Sequence, residues 1–236
     1  MAAIDNIRYM AHKATSWLQV GSKLEASAEI GNYWEEYYKH ASPKTAPSLF
    51  AKFVINTYPE RTCILDIGCG DGRDSIFFAT EGKTVVGIDA SESAIRVCKS
   101  RAAQMNGSCT FDEAVVSKDY FNTLDLGLDF RVSQSVIYSR FFLHAVVEEV
   151  EDCFLDSAMN FLDRGALLCI EFRTLADAEL RKVEKEHFRR FISPTILMNK
   201  CLMRGMNSLH LRVGRGLAPY GDEDPMIARM VFSGRV

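Results

Sequence analysis

The chain has 236 residues, of which 47% are hydrophobic, and a formal net charge of −3 with both signs interspersed. This composition suits one α/β domain with a sizeable core and provides no global field for nucleic acid or an anionic membrane; there is no apolar run of about 18 residues to span one. The first twenty residues carry Asp5, Arg8 and Lys13 in place of a secretory apolar core, and the seven cysteines show neither CxxC nor metal-ligand spacing, which predicts reduced core thiols, no metal and a cytoplasmic location.

In chain order, Ile4, Ile7, Ala11, Ala14 and Leu18 recur at helical spacing, so residues 4–20 read as an amphipathic helix on the domain or on a partner. Residues 1–30 are accordingly the segment expected to meet a partner or a second copy. A helix over about 31–40 carries Tyr33, Trp34, Tyr37 and Tyr38 as i,i+4 aromatic pairs, either as core packing or as a lid whose tyrosines reach a ligand. Ser42-Pro43 and Ala46-Pro47-Ser48 punctuate the chain before a further helical face at Leu49, Phe50, Phe53 and Val54. Residues 1–58 thus form a helical arm or lid ahead of a core over 60–236, together one domain.

The run Cys63-Ile64-Leu65-Asp66-Ile67 followed by Gly68-Cys69-Gly70-Asp71-Gly72 reads as a buried strand and a glycine turn, and Arg73-Asp74-Ser75-Ile76-Phe77-Phe78-Ala79 opens a helix. A second strand closes at Val85-Val86-Gly87-Ile88-Asp89. Ser91 is an N-cap for a helix reaching about Met105, with strands expected at 109–116, 130–138 and 166–172. A helical region is expected from Ser139 to about Leu162, and a charged helical insertion at about 175–204. Residues 208–213 and 226–232, joined by a glycine-rich loop, read as an antiparallel hairpin at the sheet edge. The pattern predicts a doubly wound, Rossmann-like α/β fold, with a seven-stranded sheet that is mostly parallel and ends in an antiparallel hairpin.

A glycine turn after a first strand places backbone and helix N-terminal amides beside a ligand, and Asp89 at the end of the second strand suits ribose hydroxyls. The ligand expected is therefore a nucleoside-bearing cofactor. G-x-G-x-x-G is not met, because the third glycine is Gly72 and Arg73 follows; the Gly-Lys-Ser/Thr ending of a P-loop is absent. The string from Leu65 to Gly72, with Asp89, instead resembles the class I S-adenosylmethionine-dependent methyltransferases over roughly residues 60–232. The resemblance implies that Gly68, Cys69 and Gly70 bring backbone to the methionine part of S-adenosylmethionine, that Asp66 orders the turn and meets its amino group, and that Asp89 and Ala90 flank the ribose. Arg73 either meets the cofactor carboxylate or solvates the helix. The family's acid after the third strand is replaced by Val115-Val116-Ser117-Lys118, so the adenine amine falls to backbone or to Ser117. The product would be S-adenosylhomocysteine.

Methyl transfer from a sulfonium needs an aligned nucleophile, exclusion of water and either a base for a neutral alcohol or cations to orient an anionic oxygen. The fourth-strand terminus, Tyr138-Ser139-Arg140-Phe141-Phe142-Leu143-His144, offers His144 as a base or as a packed, satisfied histidine, and Arg140 as a clamp. Arg173 ends the fifth strand, and His187, Arg189 and Arg190 form a basic cluster, read as a clamp or as a solvated face. Catalytic candidates are His144, Arg140 and Arg173; acceptor-binding candidates are Tyr33, Tyr37, Tyr38, Tyr138, Arg140, Arg173, Arg189 and Arg190. Several strings, among them Tyr33-Trp34-Glu35-Glu36-Tyr37-Tyr38 and Ala218-Pro219-Tyr220-Gly221-Asp222-Glu223-Asp224-Pro225, are similar to methyltransferases of glycan and natural-product pathways, some acting on phosphate or phosphonate. The expectation is an O-methyltransferase for an anionic oxygen of a small-molecule or glycan-linked acceptor. The alternatives are a small-molecule N-methyltransferase and a non-catalytic S-adenosylmethionine-binding scaffold.

Overall fold

The computed structural model describes residues 23–43, 45–105, 107–180 and 188–235. The helix expected at 4–20 and His187 lie outside the described residues. The apolar runs form strands β1 (Cys63–Ile67), β2 (Thr84–Asp89), β3 (Cys109–Glu113), β4 (Ser135–Arg140), β5 (Leu167–Arg173), β6 (Asn207–Gly214) and β7 (Ile227–Ser233). They make one seven-stranded sheet in the order β3-β2-β1-β4-β5-β7-β6. Pairing is parallel from β3 through β5, and β7 lies antiparallel between β5 and β6. The expected doubly wound sheet with its C-terminal hairpin is therefore observed. Every residue of β1 and of β5 is buried, which is why these strands read as continuous apolar runs rather than alternating ones.

Helices α1 (Lys23–His40), α2 (Leu49–Thr57), α3 (Arg73–Thr80), α4 (Glu92–Ala102), α5 (Lys118–Thr123), α6 (Glu148–Leu162) and α7 (Pro194–Met203) cover the sheet. One core sets Phe50 and Val54 of α2 and Phe78 of α3 against Ile64, Tyr138, Cys169 and Val231. The other sets Phe154, Leu155, Ala158 and Phe161 of α6 and Leu197 of α7 against Leu65, Ile137, Leu168 and Phe232. Both faces of the central strands are thereby dry, while the edge strand β6 stays largely exposed, and each fully buried Leu, Ile or Phe contributes about 1.5–3 kcal/mol. Ser48, Ser91 and Ser117 cap α2, α4 and α5 by accepting the backbone N–H three residues on.

Several expected boundaries shift: the strand expected at 109–116 ends at Glu113, that expected at 130–138 begins only at Ser135, and the helix expected at about 31–40 already runs from Lys23. β4 continues to Arg140, because Arg140 pairs in register with Glu171 of β5, and Phe141 then takes a positive φ of 63° that ends the strand. A single 3-10 turn at Leu143–Ala145 follows, and the long helix begins only at Glu148. The expected insertion at 175–204 is helical only at Leu175–Asp177 and in α7 among the described residues; Ile192 forms a parallel bridge with Thr174. Its abundant charges gave it a helical look, yet they serve ion pairs: Lys200 meets Glu148, Glu151 and Asp152, and Arg204 meets Asp152 and Asp156. No described helix is long and apolar enough to cross a membrane.

β1 is flanked by β2 on one side and β4 on the other, so the chain reverses its direction of build-out there. A doubly wound sheet opens a crevice at the carboxyl ends of the strands at such a point.

Candidate active site

A cleft of about 370 Å³ occupies that crevice, lined by the ends of β1, β2, β4 and β5, by α1 and by residues 218–220. On its β1–β2 side, Gly68 and Gly70 adopt φ of +73° and +56°, where an L side chain is strained. A Cβ at Gly68 would stand 2.8 Å from Phe142 Cδ2, so only bare backbone fits there. The N–H groups of Gly68 and Cys69 both donate to Ile88 O, at 2.8 and 3.0 Å, which ties the turn to the end of β2. Asp89 clamps the same joint. Its Oδ2 accepts from Gly70 N at 2.9 Å and its Oδ1 from Ser91 N at 3.0 Å, leaving further lone pairs on a carboxylate that lines the cleft. Burial raises its pKa despite these N–H donors. The turn and the carboxylate thus place an acceptor for paired hydroxyls beside the glycine backbone and the N-terminus of α3, as a nucleoside with an amino-acid tail requires.

Asp66 lies below the turn, 2% exposed, accepting from Ser75 Oγ at 2.5 Å. Burial pushes its carboxyl up to about 8. Because the folded pKa is raised above the ordinary 3.8, the stability of the neutral form is complete below about pH 4 and is lost as pH rises through about 8. An Asp66→Asn variant is expected to match the wild type in thermal stability near pH 4, to exceed it increasingly up to about pH 8 and to keep that margin at pH 9. Calorimetric scans giving the same difference at both ends of this range would contradict the burial account.

Helix α1 closes the opposite side. Glu35 accepts from Ser91 Oγ at 2.7 Å, Ser93 Oγ at 2.6 Å and Ser93 N at 3.0 Å, and these donors hold its carboxyl down to about 2. The helix is thereby fastened to the N-terminus of α4, next to Asp89. Tyr33, Tyr37 and Tyr38 all line the cleft, and the Tyr38 hydroxyl lies directly over Gly70. Burial, then Asp89 and Asp71, push the Tyr38 phenol well above its ordinary pKa.

On the β4–β5 side, Arg140 donates from Nε to Glu171 Oε1 at 2.8 Å, and its guanidinium carbon lies 4.1 Å from the centroid of the Phe141 ring. Among the described residues nothing takes its Nη groups. Burial alone would lower its pKa, but Glu171 and Asp74 outweigh that and hold it up. Arg189 lines the same wall half-buried, its pKa lowered by burial and by the neighbouring Arg173 guanidinium.

Four expected residues sit differently. Arg173 lines the cleft but is buried and paired with Asp177 Oδ2 at 2.7 Å and with Glu223, so its charge fastens the 217–225 loop. Tyr138 is 1% exposed, sandwiched by Phe50 and Phe78, and donates its hydroxyl to Asp74 Oδ2 at 2.7 Å; it builds the floor of the cleft. Arg190 turns to α6, where it pairs with Glu151, a buried carboxylate that requires cations. Ser117 caps α5, and the cleft wall at that point is Ala114, Val115 and Val116. His144 is buried at the cleft, with Nδ1 as acceptor of Arg173 N at 3.4 Å. With Nδ1 in that role the neutral ring carries its proton on Nε2, which suits a donor better than a general base.

Sequence reasoning missed Asp74, Glu35 and Glu171. Asp74 accepts from Ser48 N, Ser48 Oγ and Tyr138 Oη and pairs with Arg73 Nε at 3.3 Å. Burial opposes its charge, but Arg73 and Arg140 hold its pKa below the ordinary value. Its adjacency to Arg73 was the available signal.

A family model described as "Methyltransferase domain" matches residues 60–194, more than half of the chain. The mitochondrial ubiquinone biosynthesis O-methyltransferase of Schizosaccharomyces pombe is 31% identical over 158 residues, covering 62% of this chain and 57% of that protein. Glycine N-methyltransferase of Mus musculus is 26% identical over 102 residues, covering 42% of this chain and 34% of that protein. The chain therefore spans between about a third and just over half of the length of these curated relatives. Among solved structures, a SAM-dependent methyltransferase from Anabaena variabilis superposes with TM-score 0.67 at 15% identity, over 89% of this chain and 95% of that one. The glycopeptide N-methyltransferase MtfA, crystallised with S-adenosylmethionine, superposes with TM-score 0.60 at 16% identity, over 83% and 97%; at such identities the likeness is one of fold. With the glycine turn, the Asp89 clamp and the sheet order in agreement with that match, the chain belongs to the methyltransferase-domain family and has the fold of the S-adenosylmethionine-dependent methyltransferases.

Proposed function

We propose that the chain methylates an anionic oxygen, that of a phosphate, phosphonate or carboxylate, on a small-molecule or glycan-linked acceptor. The observation that carries this reading is Arg140, held by Glu171 at the cleft wall with no described partner for its Nη groups. A guanidinium matches carboxylate and phosphoryl oxygens in charge and in fork geometry, whereas it repels a protonated amine. When bound, S-adenosylmethionine supplies a sulfonium-activated methyl group whose transfer forms a C–O bond, breaks the C–S bond and, to an anionic oxygen, requires no proton removal.

The residues of the chain divide the work. Gly68, Cys69 and Gly70 hold the methionine part through backbone, Asp66 meets its amino group, and Arg73, paired through Nε with Asp74, directs its remaining N–H groups to the carboxylate. Asp89 takes the ribose hydroxyls beside Ala90, and the backbone of 114–116 takes the adenine edge. Arg140 and Arg189 orient the acceptor, Tyr33 and Tyr37 cover it, and His144 donates from Nε2. Residues 1–58 act as the lid of a single domain whose core is 60–236, residues 1–30 are the segment for a partner or second copy, and the setting is cytoplasmic.

The second reading, N-methylation, is favoured by the N-methyltransferases among the similar proteins. Labelled methyl incorporation from S-adenosylmethionine separates the two. Turnover is expected with phosphorylated, phosphonylated or carboxylated acceptors; a label found only on amines or thiols defeats the anionic reading.

A further inference from the structure

We propose that Glu171 is a positioning residue for acceptor binding, acting through Arg140; this rests on the anionic-acceptor reading above. In the sheet register Arg140 of β4 stands opposite Glu171 of β5, and Glu171 opposite Arg229 of β7. Directly paired residues project from the same face of a sheet, so the three side chains form a row across three strands. Glu171 is 1% exposed and Arg229 6% exposed. The two carboxylate oxygens are divided: Oε1 accepts from Arg140 Nε at 2.8 Å and Oε2 from Arg229 Nε at 2.6 Å.

One buried carboxylate between two guanidiniums leaves the row with a surplus positive charge. Arg229 is consumed inside the protein: it donates from Nη2 to Leu217 O at 2.7 Å and lies over the Phe50 and Phe53 rings. Arg140 is the member of the row that lines the cleft. Glu171 engages only its inner N–H, so the outer Nη edge is presented with its direction set by the sheet. A long, flexible arginine loses rotamer freedom when it binds an anion, and a buried acceptor on Nε removes that freedom in advance. The same carboxylate, through Arg229 and Leu217 O, fixes the start of the loop that brings Ala218 and Tyr220 to the cleft.

The test is calorimetric titration of the protein saturated with S-adenosylhomocysteine, using phenylphosphonate and benzoate as probes, for the wild type, Glu171→Gln, Arg140→Ala and the double variant. Glu171→Gln is expected to weaken probe binding at least tenfold, with S-adenosylhomocysteine affinity within twofold of wild type, and to have no further effect in the Arg140→Ala background. Equal losses in probe and S-adenosylhomocysteine affinity, additive losses in the double variant, or unchanged probe binding in Glu171→Gln would each overturn the positioning role while leaving the anionic-acceptor reading in place. Failure of the wild type to bind either probe would overturn both. If Glu171→Gln is insoluble, Glu171→Asp, which keeps the charge but withdraws it from Arg140, is read by the same criteria.

Discussion

Replacing Asp89 by alanine is expected to lower S-adenosylmethionine affinity about 10²–10⁴-fold, since two charge-assisted hydroxyl contacts at about 1.5–3 kcal/mol each are lost. The variant also releases the Gly70 and Ser91 amides that the carboxylate now holds, so the turn loosens as the ligand's partner disappears. Asp89→Asn keeps an oxygen acceptor without the charge, and an intermediate loss is expected. Isothermal calorimetry is the measurement, with a thermal melt to show that the fold persists. Affinity in Asp89→Ala within threefold of wild type would remove Asp89 from the cofactor site.

Arg140→Ala is expected to reduce kcat/KM for an anionic acceptor about 10²-fold or more, with S-adenosylmethionine affinity altered only a few-fold. Two hydrogen bonds from the guanidinium to a charged oxygen, at about 1.5–3 kcal/mol each, account for that magnitude. The fold tolerates the change because Glu171 keeps its bond to Arg229. Arg140→Lys is expected to recover part of the loss, as an ammonium restores the charge without the fork. Steady-state kinetics with acceptor and cofactor varied separately provides the check, and an unchanged kcat/KM in Arg140→Ala would exclude the arginine from acceptor recognition.

The cofactor half of the cleft was legible because its parts are neighbours in sequence. The turn from Gly68 to Gly72 follows directly on β1, and Asp89 ends the very next strand, so spacing alone brings them together. The acceptor half was legible only as a set of candidates. The sequence offered Arg140 and Arg173 at strand ends and Arg189 and Arg190 in a basic cluster; their fates differ because Asp177 and Glu223 claim Arg173 and Glu151 claims Arg190. The partners that decide such fates lie far along the chain: Ser48 is 26 residues from Asp74, Glu35 is 56 from Ser91, and Glu171 is 58 from Arg229.

The boundaries follow the same division. Apolar runs and caps located the strands and most helices, since burial and N-cap hydrogen bonds act within a few residues. The end of β4 at Arg140, the positive φ of Phe141 and the mostly non-helical stretch before α7 depend on pairing with β5 and on the bridge between Thr174 and Ile192. The sequence by itself determined the doubly wound sheet, the glycine turn and the carboxylate that meets it, because a buried parallel strand and a left-handed turn each demand particular residue types in succession. Only the tertiary structure decided how Arg140 is aimed at the cleft, because a guanidinium's direction is set by the nearest carboxylate in space, and the register of three strands places Glu171 between Arg140 and Arg229.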